Sequence, residues 1–288
     1  MKKYIQMKNL DISIAVLITC HNRKQKTIEC LQYLSEQKNE REFQIDVFLV
    51  DDGSTDGTSD AIKIQFPKVH IIKGDGNLFW NQGMNVAWKE AAKQNPDFYL
   101  WLNDDTFLFE NSLDSLLVTS GKKNNQAIIV GTTKSKVNGL LTYGGRRESI
   151  DLIEPSADLD ECYHFNGNVV LIPKSVFKKV GYLDNTFHHA IGDFDYGLRA
   201  RKQNVKLVVS CVVSGTCERH NSFPRWCQAE IPFKKRLATL YTSTCDCNPK
   251  QIFIFNHRHY GLLKAVSSII SVHLRLLFPT SWNKKRVC

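Results

Sequence analysis

Short apolar runs alternate with longer amphipathic segments through the first third of the chain. Four apolar runs predict β-strands: residues 12–19, 45–50, 69–72 and 98–102. The first is almost continuously apolar, as expected of a strand covered on both faces. Between them, three segments carry apolar residues at helical spacing: residues 24–37, 55–66 and 80–93. Because strands and helices alternate, the pattern predicts β–α–β units and an α/β fold with a doubly wound sheet that has helices on both faces.

The middle of the chain is patterned less regularly. Three further strands are predicted there: residues 127–131, 168–172 and 205–210. Two short helices are predicted as well: residues 173–181 and 193–202. The stretch 134–157 is polar and contains several glycines, so we expect a hairpin or loops there.

The C-terminal part differs in character. After about residue 220, Arg, His and aromatic residues become frequent, and apolar residues line one helical face from 262 to 277. Such a stripe either packs onto the rest of the protein or lies in a membrane interface, where flanking basic residues meet anionic headgroups. We therefore divide the chain into an α/β domain, 1–220, and a helical extension, 221–288, and expect the extension to contact a membrane surface.

The net charge is +9, which suits anionic partners such as nucleoside diphosphates or an acidic membrane, although it also serves solubility. The basic residues form no recognisable nucleic-acid-binding module, so we expect no nucleic acid partner. Nine scattered cysteines indicate reduced thiols rather than a disulfide framework. The polar N-terminus does not resemble a signal peptide, and we expect a cytoplasmic protein, peripheral at the inner face of the cell membrane.

Two predicted strands end in acidic clusters, at Asp51-Asp52 and at Asn103-Asp104-Asp105. In doubly wound sheets, ligands bind beyond the carboxyl ends of the strands. Adjacent carboxylates provide the hard oxygen ligands that Mg²⁺ or Mn²⁺ prefers, although an acidic surface turn gives the same pattern. Neither a GxGxxG motif nor a P-loop follows the first strand, which argues against a dinucleotide or ordinary NTPase site.

Two more carboxylates, Asp193 and Asp195, stand at the start of a predicted helix. A carboxylate is electrostatically favoured at a helix N-terminus, so a structural role explains them equally well. An ionised aspartate beside a sugar hydroxyl can also act as a general base.

Taken together, the ordered motifs resemble family 2 glycosyltransferases, the large inverting group with the GT-A fold. The motifs that carry the resemblance span about residues 10–215: residues 14–23, 50–58, 100–107, 165–172 and 181–206. The resemblance implies a nucleotide-sugar half at about 10–107 and an acceptor half at about 108–220.

The resemblance also implies a role for each matching residue. Thr19 and Arg23 line the nucleotide pocket, and Asp52 reads the pyrimidine ring. Asp105 binds the divalent metal, while Asp104 lies nearer the ribose or the donor sugar. Asp193 is the catalytic base that deprotonates the acceptor hydroxyl.

Some positions depart from the family pattern or extend it. The family often has Glu-Asp where this chain has Gly192-Asp193, which leaves Asp195 as an alternative base. The stretch 74–81 resembles bacterial polysaccharide and rhamnosyltransferase-like members, in which Asn77 and Asn81 would contact the donor; a loop and helix cap explains them as well. His220 would complete the metal shell, although a surface histidine is the commoner outcome.

These features predict an inverting glycosyltransferase of surface polysaccharide synthesis that uses a UDP-, dTDP- or GDP-sugar, with Mg²⁺ or Mn²⁺, and a glycan or lipid-linked acceptor. Two alternatives stay open. A sugar nucleotidyltransferase has a similar domain but usually opens with a Gly-rich loop, which this chain lacks. The other is a non-catalytic nucleotide-sugar or glycan-binding protein, which would not need all four aspartates, Asp52, Asp104, Asp105 and Asp193.

Overall fold

The computed structural model describes residues 12–38, 41–219 and 223–283. Its strands, in chain order, are β1 Ile12–Cys20, β2 Phe43–Asp51, β3 His70–Lys73, β4 Phe98–Leu102, β5 Phe107–Leu108, β6 Ala127–Lys134, β7 Leu141–Tyr143, β8 Gly145–Arg146, β9 His164–Phe165, β10 Val169–Pro173 and β11 Lys206–Thr216. Its helices are α1 Lys24–Ser35, α2 Thr58–Gln65, α3 Phe79–Ala92, α4 Ser112–Lys122, α5 Lys174–Val180, α6 Gly192–Lys202, α7 Phe233–Leu240, α8 Pro249–Tyr260, α9 Leu262–Leu277 and α10 Pro279–Asn283.

One mixed sheet organises the first three quarters of the chain. Its strand order is β3-β2-β1-β4-β10-β6-β11-β5, with β7 paired to β6. Strands β3, β2, β1 and β4 run parallel, and β10 lies antiparallel between β4 and β6. The carboxyl ends of β1, β2 and β4 therefore meet at one edge of the sheet, which carries both acidic clusters.

Helices cover both faces of the sheet. Side chains alternate along β1, so Leu17 packs in one core cluster with α3, α5 and α6, whereas Val16 packs in the other with α1, α2 and α4. Strand β4 is buried along its whole length, as expected of a strand covered on both sides. The predicted α/β fold with a doubly wound mixed sheet is confirmed.

Several elements differ from the sequence pattern. Residues 103–126, for which the pattern predicts no element, contain β5 and α4. Strand β5 has only two residues and shows no period, whereas the helical spacing of Leu113, Leu116 and Leu117 in α4 was missed. The predicted 262–277 stripe is helix α9, and the described part of the extension contains three further α-helices, α7, α8 and α10. Gly261, at a φ of +88°, separates α8 from α9. The eight cysteines of the described ranges form no disulfide.

Within those ranges, no helix is both long and apolar enough to cross a bilayer.

Candidate active site

A cavity of about 840 Å³ lies at the carboxyl ends of the parallel strands. Its wall includes six of the residues singled out in the sequence: Thr19, Arg23, Asp52, Asp104, Asp105 and Asp193. They come from β1, from the residue directly before α1, from the turns after β2 and β4, and from the start of α6. A cavity of this size accommodates a ligand as large as a nucleotide sugar.

Arg23 links the two carboxylates that follow β4. Its Nη1 donates to Asp104 Oδ1 at 2.9 Å and to Asp105 Oδ2 at 3.0 Å. Burial raises the pKa of Asp104 to about 6, and the Arg23 charge opposes this rise. The second carboxylate oxygen of Asp104 is buried without a hydrogen-bond partner among the described residues. The pair therefore retains a free oxygen, although Arg23 contacts both carboxylates.

Asp52 has a well-defined structural role beside the cavity. Its carboxylate accepts hydrogen bonds from the backbone N–H groups of Gly76, Leu78 and Phe79, at 2.8, 3.0 and 2.9 Å. These contacts fix the loop that leads into α3. Asp52 is 2 % exposed, so the predicted contact with a pyrimidine ring stays a prediction.

Asp193 is half-buried at the first turn of α6, and its carboxylate accepts from two backbone N–H groups. Gly167 donates to Oδ2 and Phe194 donates to Oδ1, each at 2.9 Å. Loss of hydration raises the pKa of Asp193 to about 6, although both hydrogen bonds favour the ionised form. A carboxylate with this pKa can accept a proton near neutral pH.

Asp195, two residues further on, points away from the cavity. It is fully buried and pairs with three groups: Arg199 Nε at 2.8 Å, Arg258 Nη1 at 2.7 Å and His259 Nε2 at 2.8 Å. Burial raises its pKa, but the His259 hydrogen bond and the arginine charges outweigh burial, so the net pKa lies below the ordinary value. Asp195 therefore links α6 to α8.

The two asparagines from 74–81 do not line the cavity. Asn77 is exposed. Asn81 is buried and donates from Nδ2 to the backbone oxygens of Asp184 and Phe187, at 2.8 and 2.6 Å. Donor contacts by Asn77 and Asn81 stay predictions. His220, the predicted late metal ligand, lies outside the described residues.

The structure also adds residues that the sequence pattern did not indicate. Trp80 Nε1 donates to Asn103 Oδ1 at 2.7 Å and so orients the residue before Asp104. Cys217 Sγ lies 3.7 Å from Asp105 Oδ1. His189 and Asp246 also line the cavity, the latter from the loop between α7 and α8. Trp80 and His189 lie in stretches that carry the family resemblance, whereas Cys217 and Asp246 do not, and tertiary contacts bring all four to the site.

Asp104 and Asp105 provide the hard oxygen donors that Mg²⁺ and Mn²⁺ prefer, and the unpartnered oxygen of Asp104 is suited to such an ion. No group of three or more His, Cys, Asp or Glu side chains that could hold a metal occurs in the described part of the chain. An ion at this site would therefore rely on the bound diphosphate and water for its other ligands.

The family described as Glycosyl transferase family 2 matches residues 15–191, more than half of the chain. The chain belongs to glycosyl transferase family 2. The matched range runs from within β1 through β10 and reaches Ile191, directly before α6. It includes every aspartate on the cavity wall except Asp193 and Asp246.

Two curated relatives of this family 2 chain align over part of their length. "Low-salt glycan biosynthesis hexosyltransferase Agl10" of Haloferax volcanii is 25% identical over 148 residues, 48% of this chain and 48% of the relative. "Glycosyltransferase GlyG" of Streptococcus pneumoniae is 26% identical over 123 residues, 40% of this chain and 38% of the relative. The aligned stretches thus span about half or less of these relatives.

Among solved structures, the family 2 chain is similar to S. aureus TarS. TarS 1–349 in complex with UDP-GlcNAc superposes with a TM-score of 0.57 at 14% identity, covering 91% of this chain and 81% of TarS 1–349. A second TarS structure gives a TM-score of 0.56 at 17% identity and covers 86% of this chain and 44% of TarS. This likeness shows a shared fold, the GT-A fold expected from the sequence.

Proposed function

We propose that this family 2 protein transfers a sugar from a nucleoside diphosphate to an acceptor hydroxyl, with inversion at the anomeric carbon. One observation carries the proposal: Asp193 and the Arg23–Asp104–Asp105 group face the same cavity. A transferase of this kind needs a base for the acceptor hydroxyl and a group that stabilises the departing diphosphate. In this cavity Asp193 can serve the acceptor, and the Arg23–Asp104–Asp105 group can serve the diphosphate.

The part of the cavity around Arg23 binds the nucleotide in this proposal. In this proposal Thr19 and Arg23 border the nucleotide, Asp104 faces the ribose or the donor sugar, and Asp105 holds Mg²⁺ or Mn²⁺. When bound, the ion neutralises negative charge on the diphosphate as it leaves. TarS binds UDP-GlcNAc and UDP in its solved complexes. A UDP-sugar is therefore the first donor to test, beside dTDP- and GDP-sugars.

Asp193 is the base in this proposal, and Asp195 is not. Asp193 Oδ accepts the proton of the acceptor hydroxyl, and the acceptor oxygen forms a bond to the anomeric carbon. The bond from that carbon to the diphosphate oxygen breaks, and its electron pair leaves with the nucleotide. Asp195 is held outside the cavity by Arg199, Arg258 and His259, which supports the choice of Asp193.

The proposed acceptor is a glycan or a lipid-linked glycan. The name of the Haloferax volcanii relative refers to glycan biosynthesis, which supports a glycan acceptor. A lipid-linked acceptor and a place in surface polysaccharide synthesis stay predictions. The cytoplasmic location expected from the sequence stays a prediction.

A donor screen with matched variants tests the proposal. The purified chain is incubated with Mn²⁺ and a panel of UDP-, dTDP- and GDP-sugars, and transfer or slow hydrolysis of the donor is measured. We expect Asp193→Asn to lower turnover by about 10²–10⁴-fold, the usual contribution of a general base, while donor binding is retained. Asp158→Asn, at an exposed aspartate, is the matched control. Full turnover in Asp193→Asn, or turnover lost only in Asp195→Asn, would refute the assignment.

A further inference from the structure

Helix α9 has more apolar surface than the rest of the protein covers. Ala265 and Leu276 are buried on its inner side. Six apolar side chains on another side stay between 42% and 88% exposed: Leu262, Leu263, Val266, Ile270, Leu274 and Leu277. At 3.6 residues per turn they fall within a sector of roughly 120°. Packing onto the protein therefore uses one side of α9 and leaves an apolar stripe in solvent.

Helix α7 has a matching stripe. Phe233 and Leu237 lie one turn apart, Tyr241 follows one turn later, and they are 44%, 36% and 54% exposed. The Tyr241 hydroxyl is 2.8 Å from His273 Nε2, and Arg236 Nη1 donates to the Leu276 backbone oxygen at 2.6 Å. These bonds join α7 to α9, so the two stripes lie on neighbouring, connected helices. We call these nine side chains the apolar extension surface.

The charge around this surface is strongly positive. Residues 233–283 contain seven lysines and arginines and a single acidic residue, Asp246. Four of the lysines are exposed and form no ion pair within the described ranges: Lys234, Lys235, Lys250 and Lys264. Two copies meeting through this surface would bring like charges together, which opposes self-association. An apolar stripe flanked by free lysines matches an anionic bilayer, whose headgroups attract lysine and whose acyl boundary accepts leucine.

We propose that the apolar extension surface docks onto an anionic lipid bilayer, with α9 lying in the plane of the interface. Leu263, the most exposed of the nine at 88%, would enter the acyl boundary, while Lys264 beside it meets the headgroups. The loop between α7 and α8 also places Asp246 on the cavity wall, so docking would hold the cavity close to the lipid surface. The inference does not depend on the proposed transfer reaction.

Vesicle co-sedimentation of the full chain tests the proposal. Phosphatidylcholine vesicles with about one-third phosphatidylglycerol are compared with pure phosphatidylcholine vesicles. We expect binding to the anionic vesicles that weakens as salt is raised. The double variant Ile270→Ser/Leu274→Ser should weaken this binding by more than about tenfold, because two side chains no longer contribute apolar burial. Lys234→Glu/Lys264→Glu should weaken it as well, by reversing the local charge.

The control is Ile64→Ser/Val137→Ser, which removes two apolar side chains that are 82% and 86% exposed elsewhere on the protein. It should bind vesicles like the parent chain, and thermal melts should show that all variants stay folded. Three results would overturn the proposal: no binding to anionic vesicles, equal loss of binding in the control, or a dimer in sedimentation equilibrium that Ile270→Ser/Leu274→Ser dissociates. The last result would assign the surface to a second copy of the chain.

Discussion

The Asp193 carboxylate is under two opposing influences. The N–H groups of Gly167 and Phe194 stabilise its ionised form, while removal from water destabilises that form, and the second effect prevails. Its pKa of about 6 leaves most of the group ionised at neutral pH. It is also a stronger proton acceptor than an ordinary aspartate, as the role of general base requires.

The first prediction concerns pH. The base must be ionised to act, so kcat/KM should be constant well above pH 6 and fall about tenfold for each unit below the Asp193 pKa of about 6. Asp104 titrates in the same range, so donor binding is measured over the same pH values to separate the two groups. A kcat/KM that stays constant down to about pH 4, the ordinary range of aspartate, would contradict the assignment.

Gly192 stands where the family often has glutamate. The structure shows why a glycine fits this position in the present chain. A Cβ at position 192 would overlap the Asn81 side-chain oxygen. Asn81 is itself fixed by hydrogen bonds to the backbone oxygens of Asp184 and Phe187. The side chain of Asn81 thus excludes any larger residue at 192, and the two positions must change together.

The second prediction is a double-mutant cycle on this pair. Gly192→Ala should lower the free energy of unfolding by about 1–3 kcal/mol through overpacking. Asn81→Ala should also destabilise, because it removes two buried hydrogen bonds, but it opens the space that a methyl group at position 192 needs. The double variant should therefore lose less stability than the two single variants together, by about 0.5–3 kcal/mol in urea unfolding. Strict additivity would show that the two side chains do not meet.

Helices α6 and α8 are joined through one buried carboxylate. Asp195 on α6 pairs with Arg199 on its own helix and with Arg258 and His259 on α8. Arg258 also pairs with Asp184 at 2.8 Å, in the loop before α6. The extension thus supports the first turn of α6, from which Asp193 projects. It helps to hold Asp193 in position.

The third prediction follows from that contact. Asp195→Asn leaves two arginines without their buried counter-charge, and we expect the free energy of unfolding to fall by about 2–4 kcal/mol, less than for a fully buried pair because both arginines are partly exposed. Urea denaturation measures the change. Asp60→Asn, at an exposed surface ion pair with Lys63, is the control and should unfold like the parent chain. Equal stability of Asp195→Asn and the parent would contradict the bracing role.

The cavity is assembled from parts distant in sequence. Strand ends at 19 and 103–105, the start of α6, and Asp246 of the extension all border it. A ligand bound there contacts most of the molecule at once. Binding should therefore stabilise the whole fold against unfolding and not one segment of it.

The fourth prediction uses this coupling. UDP with Mn²⁺ at about one hundred times its Kd should add about 2.7 kcal/mol to the free energy of unfolding and raise Tm. EDTA should remove most of this gain if Asp105 holds an ion that bridges to the diphosphate. Asp105→Asn should abolish the EDTA effect, while Asp158→Asn keeps it. If the rise in Tm is the same with and without EDTA, and the same in Asp105→Asn as in the parent chain, the result would argue against the metal site.

Local patterns predicted much of the sheet because buried strands and amphipathic helices leave a periodic signal in the chain. The strand that contains Thr19 and the strands that Asp52 and Asp104 follow were predicted within a few residues. Strand β5 was not predicted because two residues show no period. Helix α4 was missed although Leu113, Leu116 and Leu117 stand at helical spacing. The ordered acidic motifs likewise indicated the site, because the carboxyl ends of parallel strands lie together.

Contacts between distant segments decided the features of the site and of the extension that the sequence pattern could not predict. Asp193 and Asp195 are two residues apart on α6, yet one faces the cavity and the other is buried against α8, a difference that depends on where Gly167 and Arg258 lie. The stripe of α9 was visible as a pattern, but which side is covered depends on how α7 and α8 pack against it. The periodicity of a sequence shows that one face of a helix is apolar, because it depends only on local spacing. Which element covers that face depends on how distant segments pack in the tertiary structure.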